Sequence, residues 1–181
     1  QSVELPLQRG RIIPLETSDS SLLYDIVSID QVKDKYFIRS RNKILTFDTE
    51  GNYLYNISGI GQGNKEYVNL SSFFIKNEEL CIYDFNQGRV LFFAPSSRYL
   101  RTEKAVKNSD VECAPQLIRP YGKNKYIAKN SFNGTPGYVT PALSLLDEKY
   151  TITQTLEGHS LHTGFLLFDF MNCDDNGGFI T

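Results

Sequence analysis

The sequence predicts an all-β chain: a β-propeller of four-stranded antiparallel blades whose ring is incomplete. Three observations carry this. A strand pattern recurs about every 45 residues, within the spacing expected of propeller blades. Each repeat holds four short apolar strands separated by polar turns, the number in one blade. Aromatic and β-branched residues are abundant, with 11 Tyr and 12 Phe, and no long segment shows an apolar stripe at helical spacing. A β-sandwich is the alternative, since it also has short strands at regular intervals. The shared strand order and turn position in three successive repeats favour the propeller.

Taken in order, residues 1–21 form a lead-in. Segments 3–7 and 11–15 are expected to be extended, one of them supplying the outer strand of the blade that would close the ring. The short acidic stretch 16–23 is the best helical candidate. Blade 1 spans 22–58, with a first strand at 24–29. Lys35-Tyr36-Phe37-Ile38 follows, then a strand from Ile44 to Asp48, and one opening at Tyr53-Leu54 beyond the Gly51-Asn52 turn. Blade 2 spans 68–106, with strands at 70–75, Glu79–Asp84, 90–93 and from Tyr99, the last reached through Pro95-Ser96-Ser97. Blade 3 spans 116–157, with strands at 116–119, 125–128, 143–146 and from 151, and an insertion at 130–140. Residues 165–181 begin a fourth blade with Leu166-Leu167-Phe168-Asp169-Phe170 and Gly178-Phe179-Ile180-Thr181.

Composition narrows the function classes. The formal net charge is −2 with the signs interspersed, so no basic field exists for nucleic acid. No run of about 18 apolar residues is present, so no membrane-spanning helix is expected. The chain opens Gln1-Ser2-Val3-Glu4, without an initiator Met or a visible signal peptide, which suggests processing. Three cysteines are too few for a disulfide framework. Cys81 sits in an apolar strand and reads as a small core residue. Cys113 and Cys173 lie in polar contexts, and pairing them would require Cα atoms within about 7 Å. Their spacing is not that of a zinc site, and no cofactor or metal is expected.

Blade 2 carries the clearest motif. Gly59-Ile60-Gly61-Gln62-Gly63-Asn64-Lys65-Glu66-Tyr67 leads into it, followed by Leu80-Cys81-Ile82-Tyr83-Asp84-Phe85-Asn86-Gln87-Gly88-Arg89-Val90-Leu91-Phe92-Phe93. This resembles an NHL repeat, with its glycine-rich entry loop and its strand–Asp–x–x–x–x–Arg–Val core. With Ile13-Pro14-Leu15-Glu16-Thr17, the chain resembles the six-bladed propeller proteins abundant in gut Bacteroidetes. The resemblance covers nearly the whole chain but about half of such a propeller. It departs in carrying Ser40 where an NHL repeat has Asp, and in the blade 3 insertion. It implies an exported protein, periplasmic or at the cell surface and often a lipoprotein.

Propellers bind ligands mostly at the channel mouth, on the face holding the blade-to-blade crossings and the turns between second and third strands. Loops on a rigid scaffold carry function more often than strands. That face is expected to collect residues 59–67, 84–88, 107–115, 130–140 and 158–164. The glycine-rich loop precedes a strand, so it lacks the helix-terminal N–H groups of a phosphate cradle. Its glycines are expected to permit positive φ in a tight crossing, with Glu66 and Tyr67 as anchors. Phe132 and Tyr138, aromatic residues among Asn, Gly, Thr and Pro, could stack on a sugar or grip a peptide, or fold back into their own loop. His159 and His162 are spaced to opposite sides of an extended chain, which suits a solvated loop better than chelation. The candidate ligand contacts are therefore Tyr67, Phe132, Tyr138, His159 and His162. Loops 130–140 and 159–163 are expected on one face. Neither a Gly-x-Ser-x-Gly elbow nor a His-Glu-x-x-His is present, and Asp174-Asp175 before Gly177-Gly178 reads as a turn.

Two functions compete. One is a non-enzymatic exported binding module recognising a glycan or a protein through the channel-mouth loops. The other is a propeller-type lyase or hydrolase whose site is assembled across blades. Because the pattern stops inside a strand, the chain is expected to be part of a longer propeller, or else to self-associate through two exposed blade flanks. Each flank should then show a large apolar patch.

Overall fold

The computed structural model of the chain describes residues 10–105, 115–130, 143–156, 172–173 and 179–180. Its strands are β1 (Ser28–Val32), β2 (Lys35–Ser40), β3 (Lys43–Asp48), β4 (Tyr53–Ile57), β5 (Ser72–Lys76), β6 (Glu79–Asp84) and β7 (Arg89–Phe93). Then come β8 (Tyr99–Lys104), β9 (Pro115–Pro120), β10 (Tyr126–Asn130), β11 (Leu143–Leu146), β12 (Ile152–Leu156), β13 (Asn172–Cys173) and β14 (Phe179–Ile180). They form three four-stranded antiparallel meanders, β1–β4, β5–β8 and β9–β12, and the hairpin β13–β14. No helix occurs among the described residues; 16–23 holds only a turn at its centre. The three sheets are successive blades of an incomplete propeller.

The repeat reaches down to backbone detail. Each third strand meets the fourth with a register shift, at Thr46/Phe47, Phe92/Phe93 and Leu145/Leu146. The turn that follows closes the same way three times. Asp48, Ala94 and Asp147 each donate a backbone N–H to the carbonyl four residues on and accept one from three residues on. That three-on residue has positive φ each time, at Gly51, Ser97 and Tyr150. Where Asp is present its carboxylate completes the turn. Asp48 Oδ1 accepts from the N–H of Glu50 and Asn52, and Asp147 Oδ1 from that of Lys149 and Thr151.

Period-two alternation builds the core. Phe73, Leu80, Ile82, Leu91 and Phe93 of blade 2 pack with Val32, Phe37, Ile44 and Ile57 of blade 1. Their alternating neighbours Phe74, Cys81, Tyr83, Val90 and Phe92 point the other way, onto Ile118, Tyr126, Ala128 and Leu146 of blade 3. Blade 2 is thus buried on both faces, and Cys81 is a free, fully buried core residue. The first strands run innermost, with β5 beside both β1 and β9. Ser72 on β5 stitches to β9: its Oγ donates to the Ile118 carbonyl at 3.1 Å and accepts the Ile118 N–H at 3.2 Å. Tyrosine hydroxyls also tie blade to blade, Tyr55 to the Pro95 carbonyl and Tyr83 to that of Pro115.

Several expectations need correction. The first strand of blade 1 is Ser28–Val32, not 24–29. Residues 24 and 25 give their backbone N–H groups to the Ser40 side chain instead of to a sheet. Residues 11–15 join no strand. The Glu16 N–H bonds the Gly51 carbonyl, the Glu16 carboxylate accepts from Tyr53 N–H, and Arg11 pairs with Glu50. Leu15 and Leu23 then pack on Ile38, Leu45 and Phe47. The lead-in therefore covers part of the blade 1 flank, while Ile29, opposite Ile38, remains 53% exposed and Leu54 of β4 is exposed as well. Segments 3–7 and 166–170 and Cys113 lie outside the described residues, as does the Cys173 side chain.

Candidate functional site

The crossings and the turns between second and third strands meet at one end of the blades. That end is organised by the last residue of each second strand. In blade 2 this is Asp84, which has no exposed surface. Its Oδ2 accepts the Val68 N–H at 2.7 Å, and its Oδ1 accepts those of Asn86 and Gln87. One carboxylate thereby fastens both the β6–β7 turn and the incoming chain. In blade 1 the position is Ser40. Its hydroxyl donates to Asp25 Oδ1 at 3.0 Å, and the same oxygen accepts the Arg41 N–H at 2.9 Å. Asp25 on the entering segment supplies the carboxylate that position 40 lacks. In blade 3 the position is Asn130, buried, donating to Ser144 Oγ at 2.7 Å.

The crossing from blade 1 to blade 2 is fixed by its own side chains. Glu66 Oε2 accepts the Gly63 N–H at 2.9 Å. A Cβ on Gly61 would stand 2.0 Å from that oxygen, and one on Gly63 3.0 Å. Neither Gly59, Gly61 nor Gly63 has positive φ, contrary to expectation. These glycines admit the Glu66 carboxylate rather than a left-handed backbone. Arg89 Nη2 donates to the carbonyls of Gly63 and Glu66 at 2.8 and 2.5 Å, and Gln87 Nε2 to that of Gly61. The Asn42 side chain bonds Leu70 N–H and Val68 C=O, so both neighbouring turns hold the loop.

Tyr67 is the inner anchor. It is fully buried, and its hydroxyl lies within hydrogen-bonding distance of the Asn42 and Ile57 carbonyls, at 2.8 and 3.1 Å. Burial pushes the phenol up to about 12. With no exposed surface, its place is inside the scaffold beneath the loop. Phe132, Tyr138, His159 and His162 lie outside the described residues, as do loops 130–140 (beyond Asn130) and 158–164.

The structure brings forward a residue that sequence reading passed over. Tyr24 is 60% exposed. Arg41 lies over its ring with the guanidinium carbon 4.2 Å from the centroid, and Lys43 Nζ lies 5.9 Å away. Its backbone is pinned to Ser40, at the crossing end. Ile26 beside it and Ile60 on the next crossing are also exposed. Reading 24–29 as a strand hid Tyr24. The usable signal was Asp25 near Ser40, the carboxylate missing from the second strand.

A second polar group lies along the inner strands. Asp30 of β1 and Arg119 of β9 meet across the innermost strands, with Oδ2 3.6 Å from Nη1. Arg119 Nη1 also donates to the Phe73 carbonyl at 2.6 Å. Asp30 Oδ2 and Ser28 Oγ, two residues apart on one side of β1, are buried without a hydrogen bond. Burial raises the Asp30 carboxyl to about 6, and Arg119 opposes that rise in part. No group of three or more metal-ligating side chains occurs among the described residues, and no described helix is long and apolar enough to cross a membrane.

No curated protein matches the chain. Among solved structures, one of a Bacteroides fragilis NCTC 9343 protein, described as a "putative exported protein", is similar. It is 18% identical with a TM-score of 0.66, over 81% of this chain and 41% of that one. A protein of unknown function from Bacteroides caccae is 14% identical over 72% of this chain and 48% of that one, with a TM-score of 0.46. A duf4221 family member from Bacteroides vulgatus ATCC 8482 is 12% identical over 76% and 43%, with a TM-score of 0.46. The chain thus spans under half the length of each. The first likeness shows a shared fold, in keeping with the stacked blades. A family model described as a domain of unknown function, DUF4934, matches residues 7–178, and the chain belongs to that family.

Proposed function

We propose that this protein is an exported binding module that recognises a glycan or a protein through the crossing face of its blades. The observation that carries the reading is Tyr24. An exposed aromatic ring, backed by a guanidinium and carried on a backbone whose N–H bonds Ser40 Oγ, offers a stacking platform with polar groups at its edge. Ile26, two residues along the chain, and Ile60, on the next crossing, are further exposed apolar side chains. Phe132, Tyr138, His159 and His162 are proposed as further contacts from neighbouring loops, on an NHL-like six-bladed ring completed by blades beyond this chain. Location in the periplasm or at the cell surface, with a lipid anchor, belongs to the same reading; the exported-protein description of the Bacteroides fragilis relative supports export.

The test is binding of the purified protein to an array of neutral and acidic oligosaccharides and to candidate proteins, repeated with Tyr24→Ala. Loss of one stacked ring should weaken a specific interaction by at least about tenfold, or 1.4 kcal/mol, and leave the thermal midpoint within a few degrees. Affinity unchanged in Tyr24→Ala would remove this face from the reading. The Asp30–Arg119 pair supports a second reading, a lyase or hydrolase with its site across blades. A carboxyl raised to about 6 beside a guanidinium is suited to proton transfer near neutral pH. Turnover abolished in Asp30→Asn would favour it.

A further inference from the structure

At the end of the blades opposite the crossings, the turns joining first and second strands stand side by side. Between blades 1 and 2 these turns are bridged by Lys33 and Glu78, whose charged atoms lie 2.6 Å apart. Between blades 2 and 3 the seam is open. A cleft of about 310 Å³ runs there, lined by Ile75, Lys76, Pro120, Lys123, Lys125 and Tyr126, together with turn backbone. Among the described residues no acidic side chain lines it. Glu79, directly across the strand pair from Lys76, is taken by Arg101 at 2.9 Å, and Glu78 by Lys33. Among the described residues the three lysines make no ion pair.

Lys76 is the fixed member. Its Nζ donates to Tyr126 Oη at 2.6 Å and lies 4.8 Å from the centre of that ring. Tyr126 is itself buried and donates to Tyr150 Oη at 3.3 Å. The ammonium is therefore held in place by the core before any ligand arrives, which removes part of the ordering cost of binding. Blade 3 has a three-residue turn here, Gly122-Lys123-Asn124, with positive φ at Gly122 and Asn124, where the other two blades have two-residue turns. The extra residue adds a lysine at the seam.

We infer that this cleft is an anion site for a carboxylate, sulfate or phosphate borne on a molecule of monosaccharide size. Three ammonium groups around a half-open cleft, one fixed on Tyr126 and two exposed, raise the local potential for such a group. The volume is at the lower end of small-molecule sites. Ile75 and Pro120 offer an apolar wall to the uncharged part of the ligand. The site lies at the far end from Tyr24 and does not depend on the crossing-face reading.

The experiment is a nuclear magnetic resonance titration of the intact protein at low salt with glucuronate, glucose 6-sulfate, glucose 6-phosphate and, as a neutral control, glucose. At least one acidic sugar should shift amides of 75–77 and 120–126 saturably, with a dissociation constant of about 1 mM or lower. The double variant Lys123→Gln/Lys125→Gln changes only exposed side chains and should stay folded. It should lose at least about tenfold in affinity, while Tyr24→Ala binds as the parent does. The identity of the tightest acid assigns the anion. Three outcomes each overturn the inference: no saturation by any acid, glucose binding equally, or the double variant binding as tightly as the parent.

Discussion

Single side chains decide how this scaffold is held, and Asp30 is the one whose charge state matters most. It is a half-buried carboxylate facing Arg119, with one oxygen lacking a hydrogen bond. Burial outweighs the arginine and raises its titration to about 6. Between the ordinary carboxylate value and 6 the folded chain holds a proton that the unfolded chain has released. Stability from this group is therefore full below about pH 4 and declines as pH rises to 6, by on the order of 2 kcal/mol. Asp30→Asn should flatten that slope in urea unfolding measured from pH 4 to 7. A slope unchanged in the variant would show that Asp30 titrates normally. Asp84 serves the scaffold through geometry, its buried carboxylate oxygens accepting three N–H groups. Its position was readable in the motif, as Asp five residues before Arg, but its hold on both the turn and the incoming chain was not. Nor was the Asp25–Ser40 pair, because its two halves are 15 residues apart and meet only through folding.

Among the elements, the glycine-rich crossing is the most instructive. Its residue types were legible: glycines in a crossing, Glu66 and Tyr67 as anchors. The reason for the glycines was not, since sequence suggests turn conformation and the structure shows close approach of Glu66 to Gly61. Gly61→Ala should expel the exposed Glu66 carboxylate, return the Gly63 N–H to water and destabilise the fold by about 1 kcal/mol or less. Gly61→Ala/Glu66→Ala should recover part of that loss, because the clash is gone. Double-mutant unfolding curves check this, and simple additivity would contradict it. Strand positions in blade 2 were legible because both of its faces are apolar. The first strand of blade 1 was misplaced because Tyr24 and Ile26 imitate a strand while pointing into solvent. The lead-in gave little warning of its path. It clasps the blade at Gly51, where φ is +90° and a Cβ would meet the Pro14 carbonyl at 2.1 Å.

In the whole molecule the blades stack flank to flank, with blade 2 enclosed between two separate cores. The crossing face and the basic cleft are opposite ends of that stack, so each should respond to substitution without the other. Neighbours Phe73 and Phe74 give the most direct test, because they enter different cores and are both buried. Urea unfolding of Phe73→Ala and Phe74→Ala should show each losing about 3–5 kcal/mol. A sheet covered on one face only would lose that much at one position and less than about 1 kcal/mol at the other; that result would contradict the stacked-blade architecture.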